Sequence, residues 1–381
     1  MKIPFKKTLL TALVAMLLSA NVAAKPVLKD VFVVSSVNGA IATDKAKNAK
    51  IEDKVKLYCV AQMKDNDQSF YYTTADKIKL EDKVIDESLI KKWNEQNGKI
   101  GIEWFKVESE GYNYYNGERT QVQNGKAVRA WLWDKIKYVE TPIYSWDNHF
   151  ECKADVTPSA VSDRGQGTGT MRYKVKVKYE NQIKESPGKE SVYSGERGIT
   201  NKVHRISIRK DDSYAGWLHS FFNLPYIWGS DKLTKDEKTH QSEMFIGADC
   251  ADLVVAGRRI MGYDIPYFAS YGFAKNGIYE KYADRIVNIA DLRENGIFYN
   301  GDKKIKISTD ASNTKDVKIG DIVYFGGHVG VLSEDNNPKG VLDTNDKYIN
   351  TLFDVPAEES FENAYNSSFS ILRWREKCKE K

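Results

Sequence analysis

The strongest local constraint on the fold is a helix start at residue 249. Apolar residues recur at helical spacing after Asp252, and Gly262 then occupies a position typical of helix ends. Asp249 fits the N-cap, and Asp252 at the third helical position forms a weak version of the capping box. Cys250 is therefore predicted to be the first residue of the helix.

A cysteine at this position has two interpretations. The unpaired amides and the positive end of a helix favour the thiolate, which is the nucleophilic form. Free cysteines are also among the most buried residue types, so Cys250 fits a small core residue equally well. The carboxylate of Asp252 adds a nearby negative charge, which raises a thiol pKa and opposes the effect of the helix.

A second segment, residues 317–332, predicts two short strands around Gly326-Gly327, with His328 opening the second strand. Gly330 leaves room beside the histidine for another backbone. A cysteine followed far downstream by a histidine is typical of catalysis in which the imidazole takes the thiol proton. A histidine at a strand start also fits a structural role. Of the five histidines, however, only His328 lies in so organised a setting.

Three motifs resemble, in order and local wording, the NlpC-type cysteine peptidases of bacterial cell walls, which have a papain-like core. They are Tyr226-Ile227-Trp228-Gly229, then Asp249-Cys250-Ala251-Asp252-Leu253, then Gly320-Asp321-Ile322-Val323-Tyr324-Phe325 running into His328-Val329-Gly330-Val331. The resemblance covers roughly residues 213–376 and says nothing about the N-terminal half.

The resemblance implies that Cys250 is the nucleophile and His328 the general base. The third polar residue of the family orients the imidazole from the strand after the histidine, which makes Asp343 the candidate here, with Asn345 next. Asp343 also fits a solvated turn aspartate, because Asp and Asn are frequent in this stretch.

The same resemblance places Tyr226, Trp228, Asp249 and Asp252 at the substrate-binding surface. Family members commonly have Ser-Gly after the cysteine, where this chain has Ala251-Asp252. Because Ala251 has no side-chain hydrogen bond to offer, specificity for a free N-terminal L-alanine is expected to be weak.

Residues 1–24 predict a signal peptide, with lysines before an apolar run and Val22-Ala23-Ala24 at the cleavage site. The apolar run is too short to span a bilayer, which takes about 20 residues. We therefore expect a periplasmic or secreted protein with no membrane span. The formal net charge of +4, from 57 basic and 53 acidic residues, does not favour a nucleic-acid partner.

Residues 25–210 read as a β-rich domain, and residues 211–381 as the catalytic domain, giving an α+β protein overall. Expected strands are residues 31–34, 55–60, 102–107, 149–154 and 171–179, and residues 86–97 fit an inserted helix. Cysteine, tryptophan and cysteine, each inside a strand, resemble the order in an immunoglobulin-like sandwich.

The N-terminal domain also carries many aromatic residues, which fit either its core or a wall-binding surface that stacks on sugars. They include Tyr112, Tyr114, Tyr115, Trp131 and Trp133.

Four cysteines in an exported chain raise the question of disulfides. Cys250 must stay reduced to react, and Cys378 lies in a charged tail. A disulfide between Cys59 and Cys152 is therefore expected, with two unrelated buried thiols as the alternative.

Together these features predict an exported thiol-dependent amide hydrolase that acts on peptidoglycan stem peptides, at the bond between D-Glu and the diamino acid. No metal or organic cofactor is implied. Two alternatives stay open. One is an amidase or acyl transferase with the same site, and the other is an inactive wall-binding or adhesion protein.

Overall fold

The computed structural model describes residues 26–65, 68–94, 98–233, 239–292, 294–310 and 312–376. The predicted signal peptide and Cys378 lie outside these residues. Strands make up 43% of the structure and helices 12%, so the fold is β-rich, with less helix than the α+β prediction implies. Within the described ranges, no helix is long and apolar enough to cross a membrane.

The N-terminal half is built almost entirely from strands. They are β1 (Val27–Val37), β2 (Ala42–Thr43), β3 (Lys47–Lys50), β4 (Val55–Asp65), β5 (Gln68–Tyr72), β6 (Ile78–Leu80), β7 (Lys83–Val84), β8 (Ile90–Lys91), β9 (Ile100–Ser109), β10 (Asn113–Tyr115), β11 (Gly117–Gln123), β12 (Lys126–Leu132), β13 (Tyr138–Pro142), β14 (Glu151–Lys153), β15 (Gly169–Tyr179), β16 (Gln182–Glu185) and β17 (His204–Arg209). One sheet has the order β7-β6-β2-β1-β4-β5-β8 with β14 beside β4, and a second has the order β13-β9-β15-β17-β3 with β16 beside β15.

The two sheets share one hydrophobic core. Val33 of β1 and Leu57 of β4 pack in the same cluster as Trp104 of β9 and Val175 of β15, and Trp104 is fully buried. Inward side chains alternate along each strand, as the period of two requires. The five strands expected from the sequence are confirmed, with the fourth shortened to Glu151–Lys153.

The helix expected at residues 86–97 is wrong for the part that the structure describes. Asp86 accepts a hydrogen bond from the backbone of Ser88 and caps a single 3-10 turn, Glu87–Leu89. The chain then enters β8, which pairs with β5 in parallel. Pairing with the sheet edge replaces helix formation here.

The disulfide expected between Cys59 and Cys152 is absent, because both are buried free thiols. Strand β14 lies beside β4 in a register that places Cys152 opposite Leu57. Cys59 is therefore a diagonal neighbour, and diagonal Cα atoms lie about 7–8 Å apart. An unstrained disulfide needs less than about 7 Å. The register of the two strands thus keeps the thiols apart.

The described residues of the C-terminal half form two α-helices and a further sheet. Its elements are α1 (Tyr214–Leu218), β18 (Tyr226–Trp228), α2 (Cys250–Ile260), β19 (Ala283–Leu292), β20 (Phe298–Asn300), β21 (Ile305–Lys306), β22 (Ile322–Tyr324), β23 (Val329–Glu334), β24 (Lys347–Asn350), β25 (Ala357–Ser360) and β26 (Ser368–Trp374). The sheet has the order β21-β20-β19-β26-β22-β23-β24-β25. Short 3-10 turns elsewhere in the chain are Tyr144–Trp146, His219–Phe221, Ser270–Phe273, Ile278–Lys281, Glu294–Gly296 and Phe361–Asn363.

Helix α2 packs on the centre of this sheet. Leu253 and Val254 are fully buried and share a core with Val329 and Val331 of β23. Burial of these side chains holds the first turn of α2 against the start of β23. The two segments that the sequence analysis singled out are therefore brought together.

The two halves are joined by a small parallel sheet. Strand β10 of the N-terminal half pairs with β18 of the C-terminal half over three residues. Nearby, the buried Arg172 of β15 donates to the backbone carbonyls of Met244 and Phe245, at 3.0 and 2.8 Å. The N-terminal half thus supports the segment that leads into α2.

Candidate active site

Cys250 begins α2, as predicted. The Asp249 side chain is the N-cap, and its Oδ1 atom accepts a hydrogen bond of 2.9 Å from the backbone N–H of Asp252. Its Oδ2 atom accepts from the backbone N–H of Gly229, at 3.0 Å. The cap therefore ties the start of α2 to the end of β18.

The thiol of Cys250 is buried, with 6% of the residue exposed. Burial raises the pKa of this thiol, and the negative charge of Asp249 raises it further. The nearby backbone N–H of Val329 acts in the opposite direction and lowers the pKa. At neutral pH the sulfur therefore carries its proton and needs a base to become a nucleophile.

His328 lies immediately before Val329, the first residue of β23. Its Nε2 atom is 3.0 Å from Oδ1 of Asn350, and the Nδ2 atom of Asn350 donates to Oε2 of Glu359 at 3.1 Å. The Glu359 carboxylate can only accept a hydrogen bond, so the NH₂ group of Asn350 must face it. The side-chain oxygen of Asn350 therefore faces the imidazole. Nε2 of His328 must then carry the proton, which leaves Nδ1 with a free lone pair.

The Nδ1 atom of His328 is buried and has no hydrogen-bond partner among the described residues. Burial lowers the pKa of His328 to about 4, against a smaller opposing effect of Asn350. The imidazole is therefore neutral at pH 7 and able to accept a proton. The thiol of Cys250 and the imidazole of His328 are therefore both neutral at pH 7, and Nδ1 makes no hydrogen bond to the sulfur.

Asp343 and Asn345 do not contact the imidazole, so their predicted role is corrected. The carboxylate of Asp343 accepts from the backbone N–H of Asn345 at 2.7 Å, and the side chain of Asn345 donates to the carbonyl of Asn337 at 3.1 Å. Both residues form a turn that precedes β24. Asn350, at the end of that strand, occupies the position that the sequence analysis gave to Asp343.

One sequence signal points to Asn350. A Cβ atom on Gly330 would lie 2.8 Å from the carbonyl oxygen of Ile349 and 3.2 Å from the Asn350 side chain. The missing side chain lets β24 approach β23 closely, as the glycine predicted. The sequence analysis placed the orienting residue of this strand at Asp343, whereas β24 spans Lys347–Asn350.

The residues assigned to substrate binding lie around Cys250. The hydroxyl of Tyr226 is buried and has no hydrogen-bond partner within the described part of the chain. Burial raises the pKa of Tyr226, and the charges of Asp249 and Cys250 add to this effect, which places the phenol close to both. Trp228 follows on the same face of β18 and is exposed.

The two carboxylates of the first turn differ in environment. Burial raises the pKa of Asp249 to about 6, and it raises the pKa of Asp252 well above the usual value. Asp252 accepts a hydrogen bond of 2.7 Å from the hydroxyl of Ser230. The Asp252 carboxylate is therefore held by the hydroxyl of Ser230. The Asp249 carboxylate lies next to the Cys250 thiol and the Tyr226 phenol.

A cleft of about 370 Å³ opens beside His328 and Asn350. The N-terminal half contributes Arg164, whose guanidinium forms a 2.5 Å ion pair with Asp354. The neighbouring Phe353 lies over Tyr226, with ring centroids 5.2 Å apart. The loop between β24 and β25 thus forms one wall of the cleft and is tied to the other half of the chain.

No group of three or more His, Cys, Asp or Glu side chains in the described residues is arranged to hold a metal ion. Comparisons of the chain with protein-family models, curated proteins and solved structures find no match.

Proposed function

We propose that this chain is an exported cysteine hydrolase that cleaves amide bonds in peptidoglycan stem peptides, between D-Glu and the diamino acid. The observation that carries the proposal is the contact of His328 with Asn350. It sets the proton on Nε2 and leaves Nδ1 free to act as the base, and Cys250 lies at a helix start that shares a core with Val329, the residue after His328. Cys, His and Asn in this arrangement suit acyl transfer through a thioester.

The reaction follows from these groups. Nδ1 of His328 takes the proton of Cys250 as the sulfur attacks the carbonyl carbon of the scissile amide. The backbone N–H of Cys250 stabilises the oxyanion. The imidazolium then protonates the leaving amine, and water, activated by the same nitrogen, hydrolyses the thioester.

Three further assignments belong to this proposal. The C-terminal half is taken as papain-like, the N-terminal half as an immunoglobulin-like sandwich, and the protein as periplasmic or secreted. The motifs around Tyr226, Cys250 and His328 support the first assignment, and the core shared by Cys59, Trp104 and Cys152 supports the second.

The substrate follows from the motif resemblance and from the polar pocket at Cys250. Asp249 and the unpartnered hydroxyl of Tyr226 offer an acceptor and a donor close to the sulfur. Ala251 lacks the hydroxyl that would complete a pocket for a free amine. Stem peptides still attached to sugar are therefore the expected substrates, cut at rates comparable to free peptides or better.

The test is digestion of purified peptidoglycan by the wild-type protein and by Cys250→Ala, with the fragments weighed by mass spectrometry. Endopeptidase activity releases fragments that end at D-Glu, only with the wild type. Release of whole stems would identify an amidase, and transfer to an added amine would identify an acyl transferase. Identical fragment patterns from both proteins would reject the hydrolase.

A further inference from the structure

An exposed pair of aromatic rings lies at the junction of the two halves. Because β10 and β18 pair in parallel, Tyr115 lies directly beside Trp228. Their ring centroids are 6.0 Å apart, and the ring planes are within 8° of parallel. Each residue is 43% exposed. Two large aromatic side chains that are this exposed, on neighbouring strands, are typical of a binding surface and not of a core.

A third ring extends this surface. Trp131 of β12 is 37% exposed, and its ring lies 3.4 Å from the position that a Cβ atom on Gly229 would take. Strand β12 forms a hairpin with β11 and with no other strand in the described chain, and most of its residues are exposed. We call Tyr115, Trp131 and Trp228 the aromatic platform.

The platform is continuous with the candidate active site. Trp228 and Tyr226 lie on the same face of β18, two residues apart. The next residue, Gly229, donates its backbone N–H to Asp249, the cap that precedes Cys250. The platform is therefore linked through Gly229 to the residue that precedes Cys250.

Charged groups lie over two of the rings. The guanidinium of Arg119 lies 5.2 Å from the centroid of Tyr115 and forms a 2.6 Å ion pair with Asp134. The ammonium of Lys232 lies 5.2 Å from the centroid of Trp131. Partly exposed rings with hydrogen-bonding groups of both signs close to them match a pyranose, whose C–H face is apolar and whose hydroxyls lie around the ring. They do not match a polyanion, which needs a surface of one sign.

We infer that the aromatic platform is a glycan-binding subsite, which holds the sugar strand while the attached peptide reaches Cys250 and His328. The inference rests on the proposed function only for the identity of the attached peptide. Both halves of the chain supply rings, so the site exists only where β10 and β18 are paired.

The first experiment measures sugar binding without catalysis. A β-1,4-linked N-acetylglucosamine tetramer is titrated by calorimetry into the Cys250→Ala protein. Saturable binding is expected, and it should weaken roughly tenfold or more when Tyr115→Ala or Trp228→Ala is added, as for aromatic hot spots. Tyr115→Phe keeps the ring and should keep most of the affinity.

Controls separate binding from folding. Tyr144 is 78% exposed in the N-terminal half and is not part of the platform, so Tyr144→Ala should bind the tetramer as the parent does. Trp131→Ala changes an exposed hairpin residue. It replaces Tyr115→Ala or Trp228→Ala in the binding test if the variant on β10 or β18 fails to fold. A tetramer that does not bind the parent, or that binds all folded variants equally, would overturn the inference.

The second experiment links the platform to hydrolysis. It compares kcat/KM for a stem peptide attached to a disaccharide with kcat/KM for the same peptide free. Trp131→Ala should lower the first value roughly tenfold more than the second. An equal loss on both would mean that the platform contacts peptide, and would reject the glycan subsite. If the wild type cleaves neither substrate, the proposed function fails while the calorimetry still tests the subsite.

Discussion

The Nε2 atom of His328 and the Oδ1 atom of Asn350 lie 3.0 Å apart, in the buried space between β23 and β24. Glu359 of β25 fixes the opposite side of the Asn350 amide. Three neighbouring strands thus determine which nitrogen of the imidazole is free. The proposed proton transfer from Cys250 requires a base with a defined tautomer.

The first prediction concerns the third residue of the site. Asn350→Ala should lower kcat/KM roughly 100-fold, the low end of what a general base contributes, because the imidazole loses its fixed tautomer. Asp343→Ala should instead lower the thermal midpoint, because it removes a turn hydrogen bond. Steady-state kinetics and thermal unfolding of both variants test this. The reverse pattern would restore Asp343 as the orienting residue.

The second prediction is that Cys250→Ala and His328→Ala each remove nearly all hydrolysis, by roughly 10⁴-fold, and that the double variant is no worse. Nucleophile and base act as one unit, so their effects do not add. Single-turnover assays on peptidoglycan fragments measure the losses. Near-normal turnover of His328→Ala would show that another group is the base.

The third prediction is that activity is lost only at low pH. Burial lowers the pKa of His328 to about 4, so the base stays neutral well below its ordinary titration range near 6.5. The value of kcat/KM should therefore change little from pH 7 to 5 and fall about tenfold per pH unit only below about 4. Circular dichroism at each pH verifies folding. A midpoint near 6.5 would contradict the buried imidazole.

A related prediction concerns stability. Burial also lowers the pKa of His204 to about 4, and its Nε2 atom lies 2.8 Å from the hydroxyl of Ser35. Between pH 6.5 and 4 the unfolded chain binds protons that the folded chain does not, so stability decreases as pH falls through this range. Urea unfolding at pH 7, 6 and 5 measures the decrease. His204→Gln should make it shallower, and an unchanged slope would show that His204 does not contribute.

The fifth prediction separates function from stability at Tyr226. Its buried hydroxyl has no partner among the described residues, so Tyr226→Phe should leave the thermal midpoint unchanged or raise it. We expect kcat/KM to fall roughly tenfold if the hydroxyl contacts substrate.

Tyr173→Phe is the matched control for this change. The hydroxyl of Tyr173 is buried in the N-terminal core and donates to the carbonyl of Asp155 at 2.8 Å. Its removal should lower the thermal midpoint and leave kcat/KM unchanged. If Tyr226→Phe behaves in the same way, the hydroxyl of Tyr226 is structural.

Much of the site was predictable because it depends on residues close together in the sequence. The cap at Asp249 involves a hydrogen bond over three residues, and it places Cys250 at the start of α2. The position of His328 follows from a tight turn within one hairpin. Capping and turn formation are local, so single-sequence reasoning locates them.

Asn350 was not predictable on the same grounds. It lies 22 residues from His328, and its contact depends on β24 pairing with β23 in one register. The disulfide expected between Cys59 and Cys152 is absent for a similar reason. In the register of β4 and β14, Cys152 lies opposite Leu57, two residues away from Cys59. Strand register is decided by packing on both sides of a sheet, which no local pattern contains.

Local sequence patterns were enough to predict the start of α2, the hairpin that presents His328 and the alternating strands of the N-terminal half. Each depends on backbone hydrogen bonds or side-chain periodicity within a short segment. The contact of Asn350 with the imidazole and the position of Tyr115 beside Trp228 arise from the packing of the folded chain. These contacts join distant segments, and their geometry follows from how whole sheets pack, because burying apolar surface fixes which strands become neighbours.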